Sequence, residues 1–334
     1  MVLNQRIKAL DALRGIGVLM VVLFHYTFRY YEYYPGATPF FSFPYGRLGV
    51  ELFFLISGFV IFMTAEKTAS GKIFMLLRIS RLFPAYWFAI IFTFVIVAVF
   101  GLPGLEVSWK TMLFNFSMTQ ELFDVANVDP SYWSLFPELV FYAIIACLLA
   151  LKKSNYFDYV FSAWMLFIVV NLFTEIPMVL QKLFNLQYGL FFIAGIQFYK
   201  LKKKQEQRII FSALPLFLLF TSLIVLFFRY DLISTLIINL FYGLFFLLVM
   251  GRLNFLAIRP LLFLGAISYP FYLVHTCLGF IVMNQLNLEF WTELLLACCI
   301  SGVTACGMHY FIEKPAMGYL RRKWVKAPLD VLTH

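Results

Sequence analysis

The stretch LDALRGIGVLMVVLFHYTFRY, residues 10–30, is apolar over the length of a bilayer-crossing helix, yet Asp11, Arg14 and His25 stand inside it. A helix needs about 20 mostly apolar residues to cross hydrocarbon, and an ionisable group within that run is costly unless it is paired or hydrated. Asp11 and Arg14 are one turn apart. Arg14 and His25 are three turns apart, nearly in register on one face, so a polar stripe climbs this helix. A cleaved signal peptide would need a short apolar core ending in small residues, whereas this run carries Arg14 and leads into FRYYEYYPG. It is expected to remain as a helix.

The rest of the chain has the same character. Of 334 residues, 63% are hydrophobic, 20% aromatic and only 13% charged, against about 25% charged in soluble proteins. That excludes a soluble globular domain and disorder. The continuous apolar runs, without period-two alternation, exclude an outer-membrane barrel. Helices are predicted near 10–30, 47–65, 82–101, 131–151, 157–173, 186–199, 209–228, 232–250, 262–283 and 290–312. The expected fold is therefore an all-α polytopic membrane protein, a bundle of about ten transmembrane helices, with 1–334 a single integral-membrane domain and no separate soluble domain. The longest connection, about 102–130, is turn-rich and acidic and reads as a loop.

The net charge of +9 reads as topology rather than nucleic-acid binding. With the N-terminus in the cytoplasm, only Arg29, Arg47, Lys110, Lys182 and Arg229 of the 26 basic residues fall in outer loops, and both termini are cytoplasmic. Acids such as Glu32, Glu106, Glu121, Asp124, Asp129 and Asp231 face outward. The basic run YKLKKKQEQR at 199–208 is a cytoplasmic connector. The five cysteines lie in apolar runs without metal-ligand spacing, so free thiols and no metal are expected.

Each remaining ionisable group at membrane depth is a candidate for function. Counting about 1.5 Å per residue puts His25, Glu138 and His275 at one level in the outer half. His275 has a plain alternative, a hydrogen bond that joins two helices. Glu51 is explained by an interfacial ion pair with Arg47. Arg78 and Arg81, one turn apart just before Pro84 and the third helix, could clamp an anion or serve as ordinary inside charge. Arg14 needs a counter-charge, from Asp11 or from a phosphate. His309 and His334 are placed outside any site.

Taken in order, LDALRG at 10–15, LGVELFFLISGFVI at 48–61, RISRLFPAYW at 78–87, YWSLFPE at 132–138, GAISYPFYLVH at 265–275 and FIEKP at 311–315 resemble the acyltransferase 3 family of bacterial integral-membrane acyltransferases along nearly the whole chain. The resemblance implies ten membrane helices in the bacterial cytoplasmic membrane and transfer of an acyl group. The group is typically acetyl from acetyl-CoA, and it passes to a hydroxyl of a cell-envelope sugar. On that reading Arg14, Arg78 and Arg81 take the phosphates of acyl-CoA, since a guanidinium suits phosphate by charge and geometry. His25 acts as general base, because imidazole titrates near neutrality, and Glu138 fixes its tautomer. Ser134, Tyr269, Tyr272 and His275 are candidates for the oxyanion or the sugar, and Asp11 is the structural partner of Arg14. The expected partners are acyl-CoA, a saccharide acceptor and the lipid bilayer. Tyr31, Tyr33, Tyr34, Phe40 and Phe41 could stack on the sugar or anchor at the interface. A covalent acyl-histidine stays open beside direct transfer. The alternative from another class is a secondary transporter or flippase for a lipid-linked or anionic solute, which would show inverted repeats.

Overall fold

The computed structural model describes residues 7–36, 38–68, 70–151, 156–206, 213–286 and 288–325. Among them there is no strand. The principal helices are α1 (Lys8–Phe24), α2 (Gly49–Glu66), α3 (Gly71–Phe100), α4 (Leu135–Ala150), α5 (Phe157–Val170), α6 (Gly189–Glu206), α7 (Ala213–Arg229), α8 (Leu232–Val249), α9 (Arg259–Leu286), α10 (Phe290–Met308) and α11 (Lys314–Val325). Seven helical segments are long and apolar enough to cross a membrane: Lys8–Tyr33, Pro44–Glu66, Gly71–Phe100, Pro130–Ala150, Leu232–Val249, Arg259–Leu286 and Phe290–Trp324. The protein is a multi-pass membrane protein. The other three expected crossings coincide with α5 and α7, which are apolar but shorter, and with α6, whose last turns are KLKKKQE. The start of the seventh expected helix, the end of the basic connector and His334 lie outside the described residues.

Three boundaries differ from the sequence expectation, each for a local reason. α3 begins at Gly71, eleven residues early, because Ser70 caps it by accepting from the Ile73 N–H and Pro84 is absorbed inside the helix. Arg78 and Arg81 are thus helical rather than part of a connector. The first helix does not run straight through His25: residues His25–Arg29 form a π turn, a wide turn that rotates Tyr30 and its successors about the helix axis. A second π turn, His309–Glu313, joins α10 to α11. The 102–130 connection is a folded cap. In it the buried Asn115 amide donates to the Ala126 carbonyl at 2.9 Å, and the buried Gln120 amide donates to the Tyr86 hydroxyl at 3.2 Å, which in turn donates to the Asn115 carbonyl at 2.9 Å.

α1 packs along α9, α9 against α10, and α2 against α1 and α6. The α1–α9 approach is a backbone-to-backbone fit. A Cβ at Gly265 would overlap the Asp11 carbonyl, and one at Gly15 would overlap the Leu261 carbonyl. In lipid, where apolar burial gives little drive for association, such close packing by small residues is what joins helices. All five cysteines are free thiols. Gly265→Ala is expected to destabilise the detergent-solubilised protein by about 1–3 kcal/mol, because the opposing group is backbone and cannot yield. Gly302→Ala, at a position facing open space, should leave thermal unfolding unchanged or shift it upward through helix propensity. Paired melting curves of the two variants check this.

Candidate active site

His25 opens the π turn of the first helix, and its side chain is buried. Its Nδ1 lies 2.9 Å from the Val21 carbonyl and 3.1 Å from Nε2 of His275. A carbonyl only accepts, so in the neutral ring Nδ1 carries the proton. The same logic fixes His275, whose Nδ1 donates to the Tyr272 carbonyl at 2.8 Å. Its Nε2 is therefore an acceptor, receiving from His25 Nδ1–H and from the Thr276 hydroxyl at 3.2 Å. The pair leaves His25 Nε2 as a bare lone pair, with no hydrogen bond among the described residues. His25 lines a cavity that offers about 530 Å³ to water centres, together with Arg29, Tyr33, Arg47, Glu106, Asn127 and Trp133.

A second, smaller cavity, about 80 Å³ by the same measure, is lined by Arg14, Arg78, Arg81, Ser57, Ser134, Glu138, Tyr142, Tyr269 and Tyr272. Arg14 Nη1 pairs with Asp11 at 3.2 Å. Arg78 is only 2% exposed, with its guanidinium over the rings of Phe74 and Tyr142 at 5.6 and 5.9 Å and its Nε buried without a hydrogen-bond partner. A buried donor left unmatched in a positively charged cavity is costly, and an anionic ligand would offset that cost. Glu138, in the first turn of α4, accepts from Ser57 at 3.0 Å and from Tyr142 at 2.6 Å.

Glu138 therefore does not fix the tautomer of His25 as expected. It lines the arginine cavity, while the partners of His25 are His275 and the Val21 carbonyl. Equal depth had suggested a meeting, but Tyr272 and Val50, the two residues common to both cavity walls, stand between. The Tyr269 hydroxyl is spent on the Leu82 carbonyl at 2.8 Å, so it is no free oxyanion donor, and in this tautomer neither is His275. Tyr272 and Ser134 share a 2.6 Å hydrogen bond, and the Tyr272 hydroxyl donates to the Ser131 carbonyl at 2.8 Å. Of the loop aromatics only Tyr33 lines the large cavity, joined there by Trp133. Arg47 pairs with Asp231 at 3.6 Å rather than with Glu51, and the Ser234 hydroxyl and N–H hold the Asp231 carboxyl below the usual carboxylate range. Glu51 accepts instead from Tyr230 at 3.3 Å. His309 pairs with Glu313 at 2.7 Å.

The acyltransferase 3 model, described as an acyltransferase domain, matches residues 7–311, which takes in both cavities and the histidine pair. The chain belongs to the acyltransferase 3 family. Searches of curated proteins and of solved structures found no match. Membership makes this protein a membrane acyltransferase, and its own geometry adds residues the sequence reading had passed over.

Foremost among them in this acyltransferase is Asp129, fully buried. Its Oδ1 accepts from the Ser131 N–H at 2.9 Å and hydroxyl at 2.7 Å, and its Oδ2 from the Cys277 N–H at 3.0 Å. The Tyr132 hydroxyl donates to the Leu273 carbonyl at 2.9 Å. The loop thus grips α9 on both sides of His275. Arg321 is a second addition. It is buried on α11, which packs on α3, and its charge acts on Arg78 and Arg81. A turn-rich acidic loop and a basic C-terminal helix gave neither residue a distinguishing signal. Asp129→Ala would strand two buried N–H donors, at about 1–3 kcal/mol each. Denaturant unfolding in detergent should show a midpoint lowered by more than any single exposed-loop substitution produces.

Proposed function

We propose that this protein moves an acyl group, acetyl foremost, from cytoplasmic acyl-CoA to a hydroxyl of an extracytoplasmic or lipid-linked sugar. It would work in the bacterial cytoplasmic membrane, with ten crossings and both termini inside. The observation that carries this reading is the His25–His275 pair, which holds a bare imidazole nitrogen in a buried site beside a separate cavity of guanidinium groups. Arg14, Arg78 and Arg81 take the phosphates of the donor, with Arg321 adding to the local positive potential. About 16 Å of helix rise separates Arg14 from His25, a span that an extended pantetheine arm covers. The donor then need not cross the membrane.

In the transfer step the acceptor hydroxyl oxygen attacks the thioester carbonyl while its proton passes to His25 Nε2. The C–S bond breaks, the C–O bond of the new ester forms, and His25 returns the proton to the thiolate sulfur. As His25 becomes an imidazolium, its Nδ1–H bonds to His275 Nε2 and the Val21 carbonyl carry part of the charge. His275 thereby does what a carboxylate does in other histidine dyads, without placing a fixed negative charge in the bilayer. The Tyr272 proton is held by the Ser131 carbonyl, so the hydroxyl that turns to the developing oxyanion is that of Ser134, beside Tyr272. Trp133 and Tyr33 offer ring faces to a sugar, and Arg29, Glu106 and Asn127 offer polar contacts.

Transfer of radiolabel from acetyl-CoA to an envelope polysaccharide fraction by the purified protein in lipid tests the reading. His25→Ala should lose about 10²–10⁴-fold in rate at equal folded amount and with acyl-CoA binding retained. Arg78→Gln should do the reverse, weakening acyl-CoA binding while leaving the histidine pair in place. Absence of both labelling and acetyl-CoA binding in the wild type would return the transporter reading to the front.

A further inference from the structure

The two cavities meet at two side chains: among the described residues Val50 and Tyr272 alone line both. The wall between them is well held. Tyr272 is anchored through its hydroxyl to Ser134 and the Ser131 carbonyl, and through its own carbonyl to His275. The Phe53 ring packs edge-on against it at 6.1 Å. Val50, on the first turn of α2, is buried and β-branched, so its side chain has little rotational freedom with which to retract. On the donor side the room is small. Where a single water needs about 10–15 Å³ of such space, the arginine cavity holds only a handful of waters.

These facts have a directional consequence that rests on the acyl-CoA reading. With the donor's phosphates at Arg14, Arg78 and Arg81, the acyl group is the leading end of the molecule. It must pass between Val50 and Tyr272 before its carbonyl reaches His25. We infer that Val50 and Tyr272 form an aperture that gauges the width of the acyl group, admitting acetyl and rejecting groups branched next to the carbonyl. The large cavity beyond does not set this limit, because its volume is shared with the acceptor. Specificity for the donor is then decided at this side-chain gap rather than at the arginine cluster, which sees only the phosphates common to all acyl-CoA molecules. The carbonyl of Tyr272 is also the acceptor for His275 Nδ1. Any swing of its backbone to widen the gap therefore releases the second histidine, and only the side chains are left to yield.

The test compares acetyl-CoA with isobutyryl-CoA in inverted membrane vesicles from cells expressing the protein, subtracting vesicles that lack it. Labelled acyl group in the polysaccharide fraction and release of free CoA thiol are both read. The quantity measured is the isobutyryl-to-acetyl rate ratio, which normalises changes in overall rate or expression. The wild type should prefer acetyl at least tenfold, and Val50→Ala should raise the ratio fivefold or more. Phe53→Leu, which relaxes the packing behind Tyr272, should raise it too and stands in if Val50→Ala fails to fold. A ratio within twofold of wild type in a folded variant overturns the aperture while leaving the transferase reading intact. No protein-dependent transfer from either donor overturns the acyl-CoA reading, and the aperture falls with it.

Discussion

The close approach of α1 to α9, glycine against backbone at Gly15 and Gly265, is the constraint on which the site depends. With the two helices in backbone contact at one end, His25 on the first and His275 on the second come within hydrogen-bond reach further along. Tyr26, next to His25, sends its hydroxyl to the His275 carbonyl at 2.8 Å and fixes the relative rotation of the helices. Neither histidine could be oriented by propensity or depth alone. Each is oriented by a backbone carbonyl three or four residues earlier in its own helix, and the interhelical distance then brings the rings together.

The separation of charge between the cavities is the second organising feature. Guanidinium groups collect in one, and among them Arg78 is nearly inaccessible, with the rings of Phe74 and Tyr142 against its guanidinium. The histidine cavity presents one imidazole, that of His25, and its two arginines, Arg29 and Arg47, are each paired with a carboxylate, Glu32 and Asp231. Val50 and Tyr272, at the junction of the two cavities, keep His25 out of direct contact with the arginine cluster. A histidine placed directly among the three guanidinium groups of the other cavity would find its protonated form strongly disfavoured.

Much of this was legible in the sequence. A polytopic helical fold is dictated by composition and run length, Asp11, Arg14, His25 and His275 stand out because hydrocarbon makes ionisable residues expensive, and Arg78 and Arg81 stand out by their one-turn spacing. What sequence could not give was azimuth. Counting rise along a helix set Glu138 level with His25, but its direction around α4 depends on the 3₁₀ segment before Leu135, and that direction points it at Ser57 and Tyr142. The π turn at His25 likewise breaks the periodicity on which facing arguments rest. Asp129 was hidden for a different reason. In a stretch of Asp, Asn and Pro it has the signature of a turn residue, and only the arrival of α9 converts it into a buried acceptor.

That grip between Asp129 and Cys277 joins positions 148 residues apart, and this bears on how the chain is made. During synthesis the loop emerges long before α9, so its carboxylate stays hydrated until the ninth principal helix docks. The histidine site is thus among the last parts of the molecule to be closed. A chain halted or misinserted anywhere short of that point holds His25 without its companion ring and Tyr272 without its anchors. Completion of the bundle and formation of the histidine pair are one event, so an unfinished chain left in the bilayer carries only half of that pair.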